Sequence, residues 1–379
     1  MLDIVIAGAG PAGSVAAWVA ARAGARVLIV DRDTFPRDKL CGDTLNPGAI
    51  ALLQSIGLGD DLMALGRPIA GMVVSGAGVA VKATYREGRT GLAVTRKVLD
   101  AWLLERAVAA GAHFEPGLIV RRPLFDDAAS GPVVRGLVLA RRGSSDSLIR
   151  MPGAITIAAD GRASTLARAV GLSTSPQRPR RWAFGAYASG IEAVGDVGEM
   201  HVSPGRYVGI ARVPDGLANV CVVTGPRPDG ATPLDVMRRV IAANTLIRGR
   251  FDRARFESPV RVLGPLAVDT RTVGVDGMLL AGDAAGFVDP MTGDGMHLAM
   301  QGAVLAAGEA LGVLESGDYR GAIARLALAR RRIVGSRQRF GRGVRRLVES
   351  PVAVRAAAMS ARVAPGLVRW AIQYAGDAA

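Results

Sequence analysis

The chain has 379 residues, half of them hydrophobic, with 47 Lys+Arg against 33 Asp+Glu, three histidines and two cysteines. This apolar content excludes a disordered chain, the length provides for one large domain or two to three interleaved ones, and two cysteines exclude a disulfide scaffold and suit a reducing compartment. The net charge of +14 is almost all arginine, since lysine stands only at positions 39, 82 and 97; with 4% aromatics and no nucleic-acid-binding signature, no specific nucleic-acid partner is expected.

Residues 2–21 are apolar enough to suggest a signal peptide or a span. However, no basic segment precedes them, Asp3 stands at their start, and Gly8, Gly10, Pro11 and Gly13 interrupt them. No other run of 18 apolar residues lacks a charge, so the expectation is a cytoplasmic protein that can touch a membrane. DIVIA (3–7) instead reads as a buried strand, GAGPAG (8–13) follows it, and a helix leads to a second strand, RVLIV (26–30), ending at Asp31. This is a dinucleotide-binding unit in its expected context. Gly8 permits the tight turn, Gly10 lets backbone approach a pyrophosphate, and Gly13 lets helix and strand pack closely. Pro11 and Ala12 open the helix, whose N-terminus offers unpaired amides and a positive dipole end. A carboxylate at Asp31 suits ribose hydroxyls and repels a 2′-phosphate.

PRDKLCG (36–42) follows. Cys41 is either a group lying over a bound ring or a small buried hydrophobe, and Lys39 and Arg37 either hold a phosphate or are solvated. Segments 68–95 and 180–230 alternate apolar and polar residues and read as strands of an antiparallel sheet. Near the C-terminal third, a strand (278–281) ends in Gly282–Asp283. A turn with Pro290, Gly293 and Gly295 then opens a long helix, about 295–315, that carries Met296 and His297. Glycines without Cβ let backbone approach a flat ring, and the helix N-terminus stabilises negative charge on it. His297 is either a proton donor near that ring or a hydrogen-bonded, half-buried residue. His113, His201 and His297 form no metal constellation with the cysteines, so no metal is expected.

Over most of residues 1–320, the GAGPAG, Asp160–Gly161 and Gly282–Asp283 blocks resemble, in motif order, those of FAD-dependent oxidoreductases. The relatives are geranylgeranyl reductases, flavin-dependent halogenases and aromatic hydroxylases of the group A monooxygenase type. PRDKLCG and GDAAGFVDPMTGDG look most like the geranylgeranyl reductase branch. The resemblance implies an α/β fold, with a Rossmann-like FAD-binding domain of the glutathione reductase type at 1–67, 96–179 and 262–318. An inserted antiparallel-sheet substrate domain would take 68–95 and 180–261, and a C-terminal helical segment 319–379. It places Asp31 and Arg32 at the adenosine end of FAD, Arg96 and Asp160 near the pyrophosphate, and Asp283 on the ribityl chain. Lys39, Cys41 and Gly42 would lie beside the cofactor, and Pro290 and Gly293–Asp294–Gly295–Met296 would border the ring, with Cys41, His297 and Pro290 as candidates for chemistry. The aromatic YxWxFP stretch of prenyl reductases is broken, with Tyr207 retained but Ile210 and Arg212 where aromatics belong, and the WxWxIP stretch of halogenases is absent.

Three functions fit. The first is a monooxygenase of a hydrophobic small molecule, with NAD(P)H bound transiently because no second GxGxxG unit exists. The second is a flavin-dependent C=C reductase of prenyl or polyketide lipids, favoured by the PRDKLCG and GD blocks and opposed by the broken YxWxFP stretch. The third is a non-catalytic flavoprotein that docks on a membrane or partner. Between Tyr319 and Val348 there are ten arginines and no acid, with apolar positions at helical spacing. The pattern predicts one basic amphipathic helix, or two broken near Gly341, followed by an apolar stretch broken at Pro365. This surface suits anionic lipid at the inner membrane face, homodimer contacts, or a packed helix with a solvated arginine face.

Overall fold

The computed structural model of the protein describes residues 2–40, 42–128, 131–143, 147–174, 181–227, 229–287 and 289–376. Ile4–Ala7 has no polar side chain, and a strand of that kind needs cover on both faces. Strand Leu2–Ala7 accordingly lies inside a parallel sheet, with Val27–Asp31 on one side (Ile4 opposite Val27) and Leu148–Ala158 on the other (Ile4 opposite Ile155). His113–Pro116 and Met278–Leu280 extend the sheet in parallel, and Gly274–Val275 closes one edge antiparallel. Two long strands, Leu118–Ala128 and Gly131–Arg141, run back from Leu148–Ala158 as an antiparallel meander.

The turn after the first strand depends on missing side chains. Gly8 has φ +98°, and a Cβ there would lie 2.5 Å from the Ala159 carbonyl oxygen. A Cβ on Gly13 would lie 1.7 Å from the Gly8 oxygen, so the helix Pro11–Arg22 can start this close to the strand only with glycine. Pro11 occupies the first helical position, where no amide is needed. Helix Gly295–Ser316 packs against this helix through Met300, Ala303, Ala306 and Ala310, all fully buried. By length and composition it could cross a membrane, alone among the described residues in that respect, but those side chains belong to the central core.

A second sheet runs in the order Arg255–Phe256, Trp182–Ser189, Ala218–Thr224, Arg206–Arg212, Gly198–Ser203, Gly71–Gly76 and Val79–Thr84, with Arg261–Leu263 also pairing with Trp182–Ser189. It is antiparallel except where Gly198–Ser203 meets Gly71–Gly76 in parallel, because the chain passes through the first sheet between these two strands. Helix Pro233–Ala242, started by a Thr232–Asp235 capping box, covers one face through Val236, Met237, Val240 and Ile241. Four helices end the chain: Tyr319–Ile333, Gly335–Glu349, Pro351–Val363 and Pro365–Gly376. The break in the basic segment falls at Val334, not near Gly341. Gly341 is buried mid-helix, where a Cβ would lie 3.9 Å from Thr292 Oγ1, an ordinary contact, so it marks no helix end. Pro365 does open a new helix.

Gly13→Ala is expected to lower the unfolding free energy by roughly 1–3 kcal/mol, because the clash is with backbone that cannot step aside. Urea titration of both proteins measures this, and an unchanged midpoint would show that the turn relaxes without cost.

Candidate active site

The turn at Gly8–Gly13 leaves the first-turn amides of helix Pro11–Arg22 open on a cavity of about 200 Å³, lined there by Gly10, Pro11 and Ala12. Arg37 and Arg96 stand over Gly10, their Nη2 atoms 3.6 and 3.9 Å from where a Cβ would be. Both are held by Asp100, which is wholly buried. Arg96 makes two 2.7 Å bonds to its two oxygens, and Arg37 Nη1 lies 3.0 Å from Oδ2. Lys39 has its side chain exposed in the open cavity; the protein packed around it, then Arg96 and Arg37, hold its pKa below the usual lysine value.

Gly282, at φ +59°, lets the loop before Asp283 pack directly on Ala12. Asp283 lines the cavity; desolvation raises its pKa, and Lys39, Arg96 and Arg162 oppose the rise. Lys39, Arg37, Arg96 and Arg162 surround the glycine turn, with Asp100, Asp283, Asp33 and Asp43 as their counter-charges. Cations beside the open amides of the turn suit a pyrophosphate. Asp31 receives the Ala9 amide at 2.8 Å and the Asp33 amide at 3.0 Å, so its two oxygens are held by backbone at the end of strand Val27–Asp31, beside the glycine turn. These groups fit FAD. Gly10, Pro11, Ala12, Arg96 and Lys39 would hold its pyrophosphate region and Asp283 its ribityl chain. When bound and reduced, FAD supplies a hydride.

The cavity continues without a wall into an apolar chamber under the second sheet, lined by Leu40, Met72, Met200, Ile210, Leu266 and Phe287. Buried polar links tie this sheet to the cradle. Asp43 is fully buried at φ +50°. Its Oδ2 accepts from the Tyr187 hydroxyl (2.6 Å) and Asn219 (2.9 Å), and its Oδ1 from the Arg96 amide (3.3 Å). Burial pushes its pKa up to about 6 against the pull of these donors. Asp289 accepts from the Tyr207 hydroxyl (2.6 Å), Arg181 (3.2 Å) and the Met291 amide (3.1 Å), which locks the loop after Phe287 to the sheet. Glu199 lines the chamber. Burial would raise its pKa, but bonds from Arg250 and His201 hold it below the usual value, and His201 in turn meets Ser75 at 2.7 Å.

Of the residues singled out in the sequence, Gly10, Pro11, Ala12, Lys39, Gly42, Arg96, Asp283, Gly293, Gly295 and Met296 all line this one cavity. Gly8 and Gly13 shape the turn behind it, and Gly282 and Asp294 line a small adjoining pocket. Asp160 caps the short helix Thr165–Ala169 through the Thr165 and Leu166 amides, while its neighbour Gly161 faces the cavity. Arg32 is largely exposed, 3.7 Å from Asp33. Pro290 starts a single helical turn, Pro290–Thr292. Cys41 lies outside the described residues. His297 is buried but off the chamber: Gly295, Met296 and Ala299 face the cavity, and position 297 is turned away from them. Its Nδ1 has no hydrogen-bond partner among the described residues, and burial, then Arg337, pushes its pKa down to about 4. Asp43, Asp100, Asp289, Glu199 and Asn219 were not legible as site residues. Only the four-residue step from Arg96 to Asp100 on one helix offered a signal.

A cradle charged for pyrophosphate and open to an apolar chamber defines an FAD-dependent oxidoreductase. The chain belongs to the family described as the FAD binding domain, which matches residues 1–203. Digeranylgeranylglycerophospholipid reductase 2 of Methanopyrus kandleri is 31% identical over 327 residues, 83% of this chain and 78% of that one. Menaquinone reductase of Mycobacterium tuberculosis is 32% identical over 322 residues, 80% and 75% of the two chains. Among solved structures, the flavin-dependent brominase Bmp2 matches with a TM-score of 0.84 at 19% identity over 99% of this chain and 94% of that one. A flavoprotein/dehydrogenase from Cytophaga hutchinsonii matches at 0.79 with 20% identity over 93% and 92%. At such identities these structures share the fold. The protein is an enzyme, and of the readings set out above the non-catalytic one falls away.

Asp43 gives a pH test. Its folded pKa of about 6 exceeds the ordinary 3.8, so its contribution is fully present below pH 4 and is lost as pH rises through 6. The rise corresponds to about 3 kcal/mol. The stability of the wild type relative to Asp43→Asn should therefore fall by about that amount between pH 4 and 7 in urea titrations. A constant difference across that range would mean that Asp43 is ionised at its ordinary pKa.

Proposed function

We propose that this enzyme reduces carbon–carbon double bonds in a lipid with an isoprenoid chain, using NAD(P)H as a transiently bound electron donor. The carrying observation is the single cavity in which the dinucleotide cradle (Gly10, Arg96, Asp283) and an apolar wall (Met72, Met200, Ile210) share one space. A flexible alkenyl chain fits a wall rich in methionine, which repacks around irregular apolar shapes. The two relatives named above act on digeranylgeranylglycerophospholipid and on menaquinone. What these molecules have in common chemically is a polyunsaturated isoprenoid chain. That moves reduction ahead of oxygenation, the order opposite to the one the broken aromatic stretch at 207–212 had suggested.

The chain's own residues do three things in this reading. The sheet holds an alkene against the cradle, which turns an encounter into a fixed contact. Leu40, Leu266 and Phe287 keep water from the reacting carbons. Asp43 binds groups from both cradle and sheet, and Asp289 ties its own loop, which leads into helix Gly295–Ser316, to the sheet. Among the described residues one nucleotide cradle is seen, which supports a transient visit by NAD(P)H.

The test is product mass. Anaerobic holoenzyme is given NADH or NADPH with a geranylgeranyl lipid or menaquinone, and the lipid is analysed by mass spectrometry. Gain of two hydrogens on the isoprenoid chain, with bleaching of the flavin by the nucleotide, is the expected result. Gain of one oxygen under air would replace this reading with oxygenation, and an unchanged lipid in both conditions would refute it.

A further inference from the structure

Residues 319–379 contain thirteen arginines, no lysine and two acids, Glu349 and Asp377, so this segment carries eleven of the fourteen net positive charges. Arg330 and Arg337 are buried, whereas Arg339, Arg342, Arg346, Arg355, Arg362 and Arg369 are exposed. Helix Pro351–Val363 is apolar on two opposite faces. Val354, Ala358 and Ala361 pack inward. Val352, Met359 and Val363, seven and then four residues apart, stand outward with 76%, 68% and 89% of their surface open. Past Pro365, Leu367 is 66% exposed, and Trp370, 50% exposed, rests its other side on Tyr374 and Phe340. A helix on a water-facing surface needs one apolar stripe, and a second, contiguous one marks an interaction surface.

We propose that this outward face docks on an anionic lipid bilayer. Valine, methionine, leucine and tryptophan would enter the acyl boundary while Arg355, Arg362 and Arg369 meet lipid phosphates. A second copy of the chain is a poor occupant, because two such segments would bring like charge against like. The inward side of the same helix explains the placement. Val354 shares an apolar cluster with Met200, Leu266 and Phe287, which line the substrate chamber. A bilayer on the outward face therefore lies about one helix diameter, ~10 Å, from the chamber wall. Docking does not depend on which bond the flavin reduces, so its test is independent of product chemistry.

The full-length holoprotein is sedimented with vesicles of phosphatidylcholine, or of an equimolar mixture with phosphatidylglycerol, at low and high salt. Binding to the anionic vesicles, weakened by salt, is expected, with little on phosphatidylcholine alone. Met359→Asp with Val363→Asp, and separately Arg355→Glu with Arg362→Glu and Arg369→Glu, should each weaken it about tenfold or more. Arg121→Glu with Arg122→Glu and Arg141→Glu, the same charge change on exposed strands elsewhere, should not. Unchanged flavin content shows that each variant is folded, since every altered residue is exposed. The proposal is overturned if the wild type stays in solution with anionic vesicles, if the outward-face variants bind like the wild type, or if the strand variant loses as much. It is also overturned if the outward-face variants turn a dimer into a monomer in sedimentation velocity without any vesicle binding by the wild type.

Discussion

Asp100 has no exposed surface and two guanidiniums. A carboxylate buried that deeply is tolerable only when paired, and removing one partner of such a pair costs ~3–5 kcal/mol. The clamp therefore fixes Arg96 and Arg37 in position over the glycine turn whether or not a phosphate is present. Arg96 then carries the constraint onward: its amide reaches Asp43, and Asp43 holds Tyr187 and Asn219 of the second sheet. One line of buried contacts thus runs from the nucleotide cradle to the roof of the substrate chamber. That line fixes the separation of the cradle from the second sheet, and with it the depth of the cavity between them.

Charge is sorted along the cavity. At the cradle end, cations stand beside the open amides of the turn, and burial sharpens their effect because fields act further where water is scarce. Lys39 is held below its usual pKa there and Asp283 above, each shift reporting the cost of placing charge in that space. At the chamber end, the one lining carboxylate, Glu199, is already held by Arg250 and His201, so it presents a satisfied group instead of a free anion. A ligand that is anionic at one end and apolar at its reacting end finds complementary surroundings over the whole length. Aromatic residues at 210 and 212, as in the prenyl-reductase pattern, are not what makes this chamber apolar; methionine, leucine and isoleucine do so.

The parts legible in the sequence were those in which chemistry is local. Gly8 and Gly13, with a strand before and a helix after, can be read because the clash that each one avoids lies within a few residues or beside the adjoining strand. Gly10 and Gly282 can be read only from their place in the motif, since their neighbours Arg37, Arg96 and Ala12 lie far along the chain. Asp43, Asp289 and Glu199 were not legible, because their partners Asn219, Tyr207 and Arg250 lie far along the chain and only the sheet brings them together. His297 shows a different limit. Being near the turn in sequence placed it in the right helix, but the helical period decides which side of the ring pocket a residue sees, and Met296 and Ala299 take that side. Gly341 reads as a break by composition, yet it lies inside the continuous helix Gly335–Glu349, because a single glycine costs a packed helix too little to end it.

The arginine-rich tail divides into residues that complete the site and residues that face outward. Arg330 donates to the Ala285 carbonyl behind the flavin loop. Arg337 donates to the Tyr374 and Ala375 carbonyls at the chain's end, and Asn46, while capping helix Pro47–Ser55, donates to Ala375 as well. The last helical turn is thereby held by a residue of the FAD-binding core and by one of its own segment. Arg337 also lowers the pKa of His297 and counters the rise at Asp294, so the tail contributes to the field around helix Gly295–Ser316. A tail that served only as a solvated appendage would need none of these buried guanidiniums, whose desolvation must be offset by the carbonyls they meet. Its inner arginines, on helices Tyr319–Ile333 and Gly335–Glu349, pack against the core, while the arginines of the last two helices stand exposed, so a composition that is uniform along the sequence is divided by the fold.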